Sequence, residues 1–244
     1  MQTSVQELAQ KLTSWIGDTV TSAGAKGIVL GMSGGIDSAV AAVLCKRAFP
    51  DALLGVIMPC NSMGIDREHA ELVANKFHVP INVVVLDQVF DSLIKSLPDE
   101  GYDVKTRKIA ENNIKPRLRM VVLYYLANRL NYLVVGPSNK SELSVGYFTK
   151  HGDGSSDLMP LGNLTKRQVR ELAEHLGIPR EIIDKPPSAG LWAGQTDEAE
   201  LGLTYDELDR YLTTGEAEPK IKEMIDSKIR KSMHKRCPPP VPAF

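Results

Sequence analysis

The stretch GMSGGIDSAV, Gly31–Val40, joins a short apolar run to an Ala-rich one. Gly34 and Gly35 predict a tight turn whose backbone amides an anion can approach, because no Cβ stands in the way. The amides that open the following helix have no partner within it, and the helix dipole favours negative charge there. Ser33 and Ser38 add hydroxyl donors. The stretch therefore predicts a phosphate-binding turn, which differs from GxxxxGK[ST] in having no lysine.

Short apolar runs alternate with helical patterns on both sides of this turn. The runs Gly27–Met32, Ala52–Pro59 and Ile81–Asp87 predict buried strands, each followed by a helix after a few residues. A helix from Asn113 to Leu130 and a strand at Asn131–Gly136 continue the alternation. This order predicts an α/β fold, a doubly wound, mainly parallel twisted sheet with helices on both faces. Ligands bind such sheets at the carboxyl ends of the strands, which is where the turn lies.

The chain is predicted to be a single domain over residues 1–244. We expect residues 22–165 to form a nucleotide-binding core, and residues 166–244 to add helices and a substrate loop packed on it. Two segments rich in Gly, Pro, Asp and Ser, residues 147–160 and 184–204, are long for loops of a compact domain. Long ordered loops usually have a functional role.

The composition argues against several classes of protein. Hydrophobic residues make up 43% of the chain and charged residues 24%, as in ordinary globular proteins. A net charge of −1 does not favour a nucleic-acid partner, and the three cysteines show no CxxC spacing for a zinc site or disulfide framework. The N-terminus lacks a signal-peptide pattern, and no apolar run approaches the roughly 18 residues of a membrane span. We therefore expect a cytoplasmic protein with no membrane partner.

Asp37 is the unusual member of the turn. A carboxylate beside a bound phosphate is repelled unless a cation lies between them, and Mg²⁺ does this with one or two carboxylates plus phosphate oxygens. The plainer interpretation is that Asp37 caps the helix. Glu142 follows the strand that ends at Gly136, so it is the candidate partner of Asp37 at the same edge of the sheet. Taken alone, an isolated glutamate is more often a solvated surface residue.

The string SGGIDS, Ser33–Ser38, resembles the pyrophosphatase loop of the ATP pyrophosphatase superfamily, whose members split ATP into AMP and pyrophosphate while adenylating a substrate. Synthetases of several kinds and tRNA-modifying enzymes share this loop, so it does not choose between them. The segment Gly136–Lys166, with GYFTKHGDGSSD, resembles the ammonia-dependent NAD⁺ synthetases. NNIKPRLRM (Asn112–Met120), KPPSAGLWAGQTDEAELG (Lys185–Gly202) and HKR (His234–Arg236) are similar to further motifs of that family, in the same order.

The resemblance covers nearly the whole chain and implies a nucleotide alpha hydrolase-like fold and the amidation of deamido-NAD⁺ by ammonia through an acyl adenylate. ATP is the implied co-substrate, and Mg²⁺ is the implied cofactor, with Asp37 and Glu142 as ligands. The implied ATP-binding residues are Gly31, Met32, Ser33, Gly34, Gly35, Ile36, Asp37, Ser38, Lys166 and Ser188. Those for the deamido dinucleotide are Asn113, Arg117, Lys150, Asp157, His234 and Lys235. The catalytic residues are Asp37, Lys166 and Asp153, the last to orient ammonia.

The chain departs from the family pattern at a few positions. Pro137 stands where the family usually has a threonine near ATP, and Asn112 and Pro116 replace a glycine and a small residue beside Arg117. Arg119 is interpreted as helix surface and is given no role. Members of the family are homodimers, and the apolar segment Met120–Leu126 predicts a helix buried in the core or at such an interface.

Two other classes of function share the loop. A tRNA-thiolating enzyme needs paired cysteines and a lysidine synthetase an appended basic domain, which this chain lacks. A nucleotide-binding module without activity does not need Glu142, Lys166 and Ser188 in addition to the loop. Because the synthetase signature begins at residue 31, we also expect no fused glutaminase domain. Ammonia, supplied in solution or by a separate glutaminase chain, is then the nitrogen donor.

Overall fold

The structure is a computed structural model that describes residues 4–98, 101, 103–192 and 194–243, except for the side chain of Lys105. Four strands and twelve helices occur in these residues. In chain order they are α1 (Val5–Ser22), β1 (Gly27–Gly31), α2 (Ile36–Ala48), β2 (Leu53–Ile57), α3 (Gly64–Lys76), β3 (Ile81–Val83), α4 (Asp87–Ser96), α5 (Val104–Asn112), α6 (Ile114–Leu130), β4 (Tyr132–Val135), α7 (Lys140–Val145), α8 (Lys166–Leu176), α9 (Arg180–Ile183), α10 (Asp197–Leu201), α11 (Tyr205–Thr214) and α12 (Pro219–Arg236).

The four strands form one parallel sheet in the order β3-β2-β1-β4. Ile28 of β1 pairs with Leu53 of β2, and Val29 pairs with Val134 of β4. The chain thus runs outward from β1 to β3 and then returns to the other side of β1 for β4. This reversal opens a crevice between the carboxyl ends of β1 and β4, the place where ligands bind in open α/β sheets. The predicted fold class is confirmed.

Helices cover both faces of the sheet. Ile28 and Leu30 of β1 pack in a core with α1, α2, α3 and α8, while Val29 packs on the other face in a core with α4 and α6. Strands covered on both sides read as continuous apolar runs, which is why β1 shows no alternation. A third, smaller core joins α7, α11 and α12 through Val145, Leu208 and Ile225.

The structure corrects several predicted boundaries. The apolar run from Ala39 to Phe49 predicts a helix, but α2 begins earlier, at Ile36, so Asp37 lies in its first turn. Five helices were not predicted, namely α5, α7, α9, α10 and α11, because each is short or carries mostly polar residues. Helix α10 interrupts the predicted loop at residues 184–204.

Helix α6 is less buried than its apolar sequence suggested. Val121 and Tyr125 are each 58% exposed in this single chain, while Ala127 is buried in the core on this face of the sheet. None of the described helices combines the length and the apolar character needed to cross a membrane.

Candidate active site

The turn after β1 is braced by its own hydroxyl groups. Ser38 Oγ donates to the carbonyl oxygen of Gly35 at 2.9 Å, and Ser33 Oγ lies 3.0 Å from Ser38 Oγ. Gly34 has a φ of 76°, and a Cβ there would collide with the backbone carbonyl of Asp66. Only glycine therefore fits this position, because it needs both the left-handed conformation and the space. The serines that were predicted as phosphate donors also hold the turn in shape.

One buried lysine joins the two candidate metal ligands. Lys166 Nζ lies 2.5 Å from Asp37 Oδ2 and 3.1 Å from Glu142 Oε1. Asn139 Nδ2 donates to the other Asp37 oxygen at 2.8 Å. Asp37 follows β1 and Glu142 follows β4, so the group spans the crevice at the reversal of the sheet. We call Asp37, Asn139, Glu142 and Lys166 the carboxylate–lysine centre.

Helix caps fix the side chains of this centre. Asn139 caps α7, accepting from the Glu142 amide at 3.0 Å, while Glu142 Oε2 accepts from the Asn139 amide at 3.3 Å. Thr165 caps α8 with Gln168 in the same reciprocal way, which makes Lys166 the first residue of its helix. Such capping boxes set where a helix begins and so which way its first side chains point. The sequence holds both patterns, N-x-x-E and T-x-x-Q.

The charges of the centre perturb each other. Burial raises the pKa of the Glu142 carboxyl to about 7, and nearby Asp37 adds to this while Lys166 opposes it. Burial lowers the pKa of Lys166, but the attraction of Asp37 and Glu142 outweighs it, so the pKa of the lysine ends above its usual value. Lys166 is only 2% exposed. With both carboxylates ionised, one ammonium leaves the centre one negative charge in excess.

The oxygen ligands of the centre suit Mg²⁺. Within the described part of the chain, no group of three or more His, Cys, Asp or Glu side chains is arranged to hold a metal ion. Mg²⁺ does not need such a cage, because it commonly takes one or two carboxylates together with phosphate oxygens and water. Asp37 and Glu142, already close enough to share one cation, fit that type of site.

Residues that the sequence did not point to support the centre from outside. The Tyr205 hydroxyl donates to Asp197 Oδ2 at 2.9 Å and lies 3.4 Å from Glu142 Oε1. The Ser141 hydroxyl bonds the Asp209 carboxylate and accepts from the Lys166 amide at 3.0 Å. Asp197 Oδ1 is buried and has no partner among the described residues. No motif in the sequence marks these contacts, which join α11 to α7 and α8.

A cavity of about 730 Å³ opens beside the centre at the carboxyl ends of the strands. Most predicted ATP-binding residues line it, together with some predicted for the dinucleotide and for ammonia. The predicted residues in its lining are Gly31, Met32, Ser33, Gly35, Ile36, Asp37, Ser38, Asn113, Glu142, Asp153, Lys166, Ser188 and Lys235. Those outside the described lining are Gly34, Arg117, Lys150, Asp157 and His234.

The basic residues predicted for the dinucleotide form a connected group near the cavity, which we call the basic rim: Arg117, Lys150, His234 and Lys235. Arg117 is exposed, and its Nε donates to the Lys150 carbonyl oxygen at 3.3 Å. Lys150 Nζ donates to the His234 carbonyl oxygen at 2.7 Å. Lys235 Nζ, which does line the cavity, donates to the carbonyls of Gly146 and Phe148 at 2.8 Å each. None of the four forms an ion pair with a described carboxylate.

The remaining predicted residues have distinct surroundings. Asp157 accepts from the Val134 amide at 2.8 Å and from the Tyr124 hydroxyl at 3.3 Å, so its carboxylate completes the hydrogen bonding beside β4. Asn113 Oδ1 accepts from the Thr149 hydroxyl at 2.8 Å. Asp153 Oδ1 accepts from the Thr149 amide at 2.9 Å. One threonine therefore links Asn113 to Asp153 at the cavity.

The segment 185–202 lies over the cavity and is fastened to two helices. Lys185 Nζ lies 2.6 Å from Asp66 Oδ1 of α3, and both side chains are mostly buried. Lys115 Nζ of α6 donates to the Leu191 carbonyl oxygen at 2.9 Å. Ser188 is exposed towards the cavity, and its Oγ accepts from the Gly190 amide at 3.1 Å.

The interpretation of Arg119 as helix surface is wrong. Its side chain is half-buried and lines the cavity, with Nε donating to the Met58 carbonyl oxygen and Nη2 to Ser62 Oγ, each at 3.1 Å. The sequence did contain a signal for this. Pro116, Arg119 and Leu123 of α6 all line the cavity, and their spacing of three or four residues puts them on one helical face.

The sequence profile described as NAD synthase matches residues 8–239. The chain belongs to the NAD synthase family. An NH(3)-dependent NAD(+) synthetase of Carboxydothermus hydrogenoformans is 49% identical over 242 residues, 99% of each chain. This membership rules out the tRNA-modifying enzymes that share the loop, and it supports an enzyme over a binding module.

Solved structures of the family superpose closely on the chain. An NMN synthetase from Francisella tularensis has a TM-score of 0.94 at 37% identity, with all of both chains covered. An NH3-dependent NAD synthetase from Campylobacter jejuni has a TM-score of 0.82 at 28% identity, covering 98% of this chain and 99% of that one. The likeness of fold thus extends over the C-terminal helices as well as the sheet.

Proposed function

We propose that this NAD synthase family member, an ATP-using enzyme of ammonia-dependent NAD⁺ synthesis, amidates deamido-NAD⁺ at the cavity beside the carboxylate–lysine centre. The observation that carries the proposal is the Lys166 ammonium held between Asp37 and Glu142 at the reversal of the sheet. This region suits the binding of a polyphosphate, because it combines the turn after β1, a buried cation and two candidate ligands for a divalent ion. The cytoplasm remains the predicted location.

The reaction has to replace a poor leaving group. Ammonia cannot expel oxide from a carboxylate, so an oxygen of the nicotinate carboxylate first attacks the α-phosphorus of ATP, the bond to the β-phosphate oxygen breaks, and pyrophosphate leaves. Ammonia then attacks the acyl carbon of the adenylate, the carbon–oxygen bond to AMP breaks, and one proton is lost. The first step needs alignment and charge neutralisation and no general base, since the nucleophile is already ionised.

Residues of the centre and the turn bind ATP in this reaction. The turn from Ser33 to Ser38 presents amides and hydroxyls to the phosphates, and Lys166 neutralises them as a point charge. Asp37 and Glu142 would hold Mg²⁺, which when bound neutralises phosphate charge and orients the leaving pyrophosphate. Ser188 adds a hydroxyl from the segment above the cavity. The buried position of Lys166 strengthens its attraction for phosphate, because little water screens it.

The basic rim binds the deamido dinucleotide. Arg117, Lys150 and Lys235 donate hydrogen bonds only to backbone carbonyls in the described residues, so their charge is available to an anionic ligand. Asn113 lines the cavity beside them and contributes an amide. Asp157 was also predicted to bind the dinucleotide, but its carboxylate is already used by Val134 and Tyr124. Its role in binding stays a prediction.

Ammonia is used in the second step, where Asp153 is the proposed group that orients it. Asp153 lines the cavity and is tied to Thr149. A carboxylate can accept a proton from ammonium as the neutral nucleophile forms. The segment 185–202 covers the site, so that it protects the acyl adenylate from water.

A homodimer is supported by an apolar face on α4 and α6. Val89 and Leu93 of α4 and Val121 and Tyr125 of α6 are all exposed in the single chain, and the two helices pack on each other. Sedimentation at assay concentration should give a dimer, and Tyr125→Glu should shift it to monomer because a charge cannot be buried there without cost. Trp15→Glu, an exposed aromatic on the opposite face of the sheet, is the matched control. A monomeric wild type contradicts the dimer.

A second candidate reaction is the amidation of nicotinate mononucleotide. It is favoured by the TM-score of 0.94 with the Francisella tularensis NMN synthetase, against 0.82 for the Campylobacter jejuni NAD synthetase. The chemistry at the carboxylate is the same for both substrates, so the two differ only in whether an adenylate half is bound. Comparing kcat/KM for the two substrates at saturating ATP and ammonium decides which one the enzyme prefers.

The main test uses purified protein, ATP, magnesium and deamido-NAD⁺, with either ammonium or glutamine. We expect AMP and NAD⁺ in equal amounts with ammonium and neither product when the deamido substrate is omitted. AMP release without any deamido substrate, or synthesis that requires glutamine, would contradict the proposal.

A further inference from the structure

Arg119 sits in the wall of the cavity with part of its guanidinium uncommitted. It lies in the second turn of α6, and its Nε and Nη2 bond Met58 and Ser62 at the carboxyl end of β2. Its Nη1 group bonds no described residue. The edge of the guanidinium that carries Nε and Nη2 therefore binds the protein, while Nη1 is available to a ligand in the cavity.

The charge of this guanidinium is only partly balanced by the described residues around it. No described carboxylate forms an ion pair with Arg119. Burial lowers the pKa of Arg119, and the attraction of the Asp153 and Asp66 carboxylates only partly offsets this effect. An arginine stays charged in proteins, so a partly balanced one in a cavity gains from an anion placed against it.

The place of Arg119 in the cavity selects among the anions that the reaction brings. Lys166, whose Nζ lies 2.5 Å from Asp37 in the helix that follows the turn, is already assigned to the pyrophosphate end of the proposed ATP site. Arg119 instead lines the cavity together with Asp153, the residue proposed to orient ammonia, and it attracts that carboxylate; ammonia attacks at the reacting carboxyl group. The charges that meet at that point are the nicotinate carboxylate and the α-phosphate.

We propose that Arg119 is a further substrate-binding residue, which holds an oxyanion of the reacting centre, either the α-phosphate of ATP or the nicotinate carboxylate. This inference rests on the proposed function, since it assumes that these two groups meet in this cavity. Guanidinium groups bind such oxyanions through paired hydrogen bonds, and a donor fixed in advance lowers the barrier as charge shifts between them. A residue that only fastened Met58 and Ser62 would have no effect on ligand binding beyond a loss of stability.

Three variants separate binding from structure. Arg119→Met keeps length and packing without charge, and Arg119→Lys keeps the charge without the fork. Arg180→Ala is the control, because Arg180 forms an exposed ion pair with Glu174 away from the cavity. Circular dichroism and Tm report folding for each variant. If the Met variant does not fold, the Lys variant carries the test.

Calorimetry then measures Kd for a non-hydrolysable ATP analogue with magnesium, for deamido-NAD⁺ and for NAD⁺. If Arg119 holds the phosphate, Arg119→Met weakens the ATP analogue at least tenfold and changes the dinucleotides less than twofold. If it holds the carboxylate, deamido-NAD⁺ weakens at least tenfold while NAD⁺, which has an amide in its place, is unchanged. Arg119→Lys is intermediate in either case.

The inference is overturned if Arg119→Met and Arg119→Lys bind all three ligands within twofold of wild type, whatever happens to Tm. It is also overturned if ATP and both dinucleotides weaken equally, because that marks a general loss of structure. The wild-type enzyme is assayed alongside for NAD⁺ synthesis. Failure of the wild type counts against the proposed function, whereas an active wild type with unaffected variants counts only against Arg119.

Discussion

The carboxylate–lysine centre and the basic rim lie at the same cavity but are built in opposite ways. In the centre, each charged group meets an opposite charge, with Lys166 2.5 Å from Asp37 and 3.1 Å from Glu142. In the rim, Arg117, Lys150 and Lys235 meet only backbone carbonyl oxygens. The centre is complete in one chain without a ligand, while the rim holds an excess of positive charge.

This difference teaches how each region selects its ligand. A preassembled centre does not have to rearrange as charge develops, so its main contribution is to the rate of adenylation. A rim of uncompensated cations gains most when an anionic substrate arrives, so its main contribution is to binding. Substitutions in the centre should then lower kcat, and substitutions in the rim should raise KM.

Asp37→Asn should have the largest effect of those considered. The amide keeps the size of the side chain but removes the charge that holds Lys166 and one ligand for a divalent ion. We expect AMP formation to fall by about 100- to 1000-fold, the usual cost of removing one electrostatic contact to a transition state. Initial rates of AMP release with saturating substrates measure this.

Asp206→Asn serves as the control for Asp37→Asn, because Asp206 is exposed in the first turn of α11. It should have wild-type rates. An Asp37→Asn enzyme that forms AMP at the wild-type rate would remove Asp37 from the mechanism. If Asp37→Asn changed KM for deamido-NAD⁺ and left kcat unchanged, the centre would contribute to substrate binding, as the rim is expected to do.

Glu142→Gln tests whether the centre holds a divalent ion. The amide is a weaker ligand than the carboxylate, so we expect the magnesium concentration for half-maximal activity to rise about 10- to 100-fold, with most of the rate recovered at saturation. Glu181→Gln, on the exposed surface of α9, should leave the magnesium requirement unchanged. A magnesium titration identical to wild type would exclude Glu142 as a ligand.

The sequence predicted the centre better than the rim, and the reason is physical. Asp37 and Lys166 belong to helix starts whose capping residues are local in sequence, so the pattern SGGIDS and the Thr165 cap fix their direction. The resemblance assigned Arg117 to the dinucleotide and left out Arg119, although only Arg119 lines the cavity. Two residues apart on a helix, they point to different faces, and only the packing of α6 on the sheet decides which face is inside.

Sequence patterns did not predict the contacts between distant segments of the chain. Tyr205, Asp197 and Asp209 approach the centre from α10 and α11, which were not predicted as helices. Such contacts depend on tertiary packing of short polar helices, which carry little periodic signal. The sheet, in contrast, follows from short apolar runs that alternate with helices along the chain.

Arg117→Ala should have a smaller effect than the two changes in the centre. Losing one charged contact to the deamido dinucleotide costs about 1.5 kcal/mol, so KM for this substrate should rise about tenfold while KM for ATP stays within twofold. The control is Arg170→Ala, since Arg170 is exposed on α8 and does not line the cavity. Equal KM values for wild type and Arg117→Ala would mean that Arg117 does not bind the deamido dinucleotide. A fall in kcat alone would mean that it contributes to the rate, as the centre does.

Asp66→Asn should have the smallest effect, because it loosens only the cover that the two regions share. The Lys185–Asp66 ion pair at 2.6 Å fastens segment 185–202 to α3. A partly exposed pair contributes about 1 kcal/mol, so its loss should raise the open population of the segment about fivefold.

Cleavage after the glutamates of α10 by a Glu-specific protease follows that population when opening is fast. Glu174→Gln, which breaks the exposed pair with Arg180, should cleave like wild type. ATP and deamido-NAD⁺ together should protect the wild-type segment, since both ligands are proposed to bind beneath it, and the Asp66→Asn segment less so. Identical cleavage of both proteins with and without ligands would mean that segment 185–202 does not close over the site.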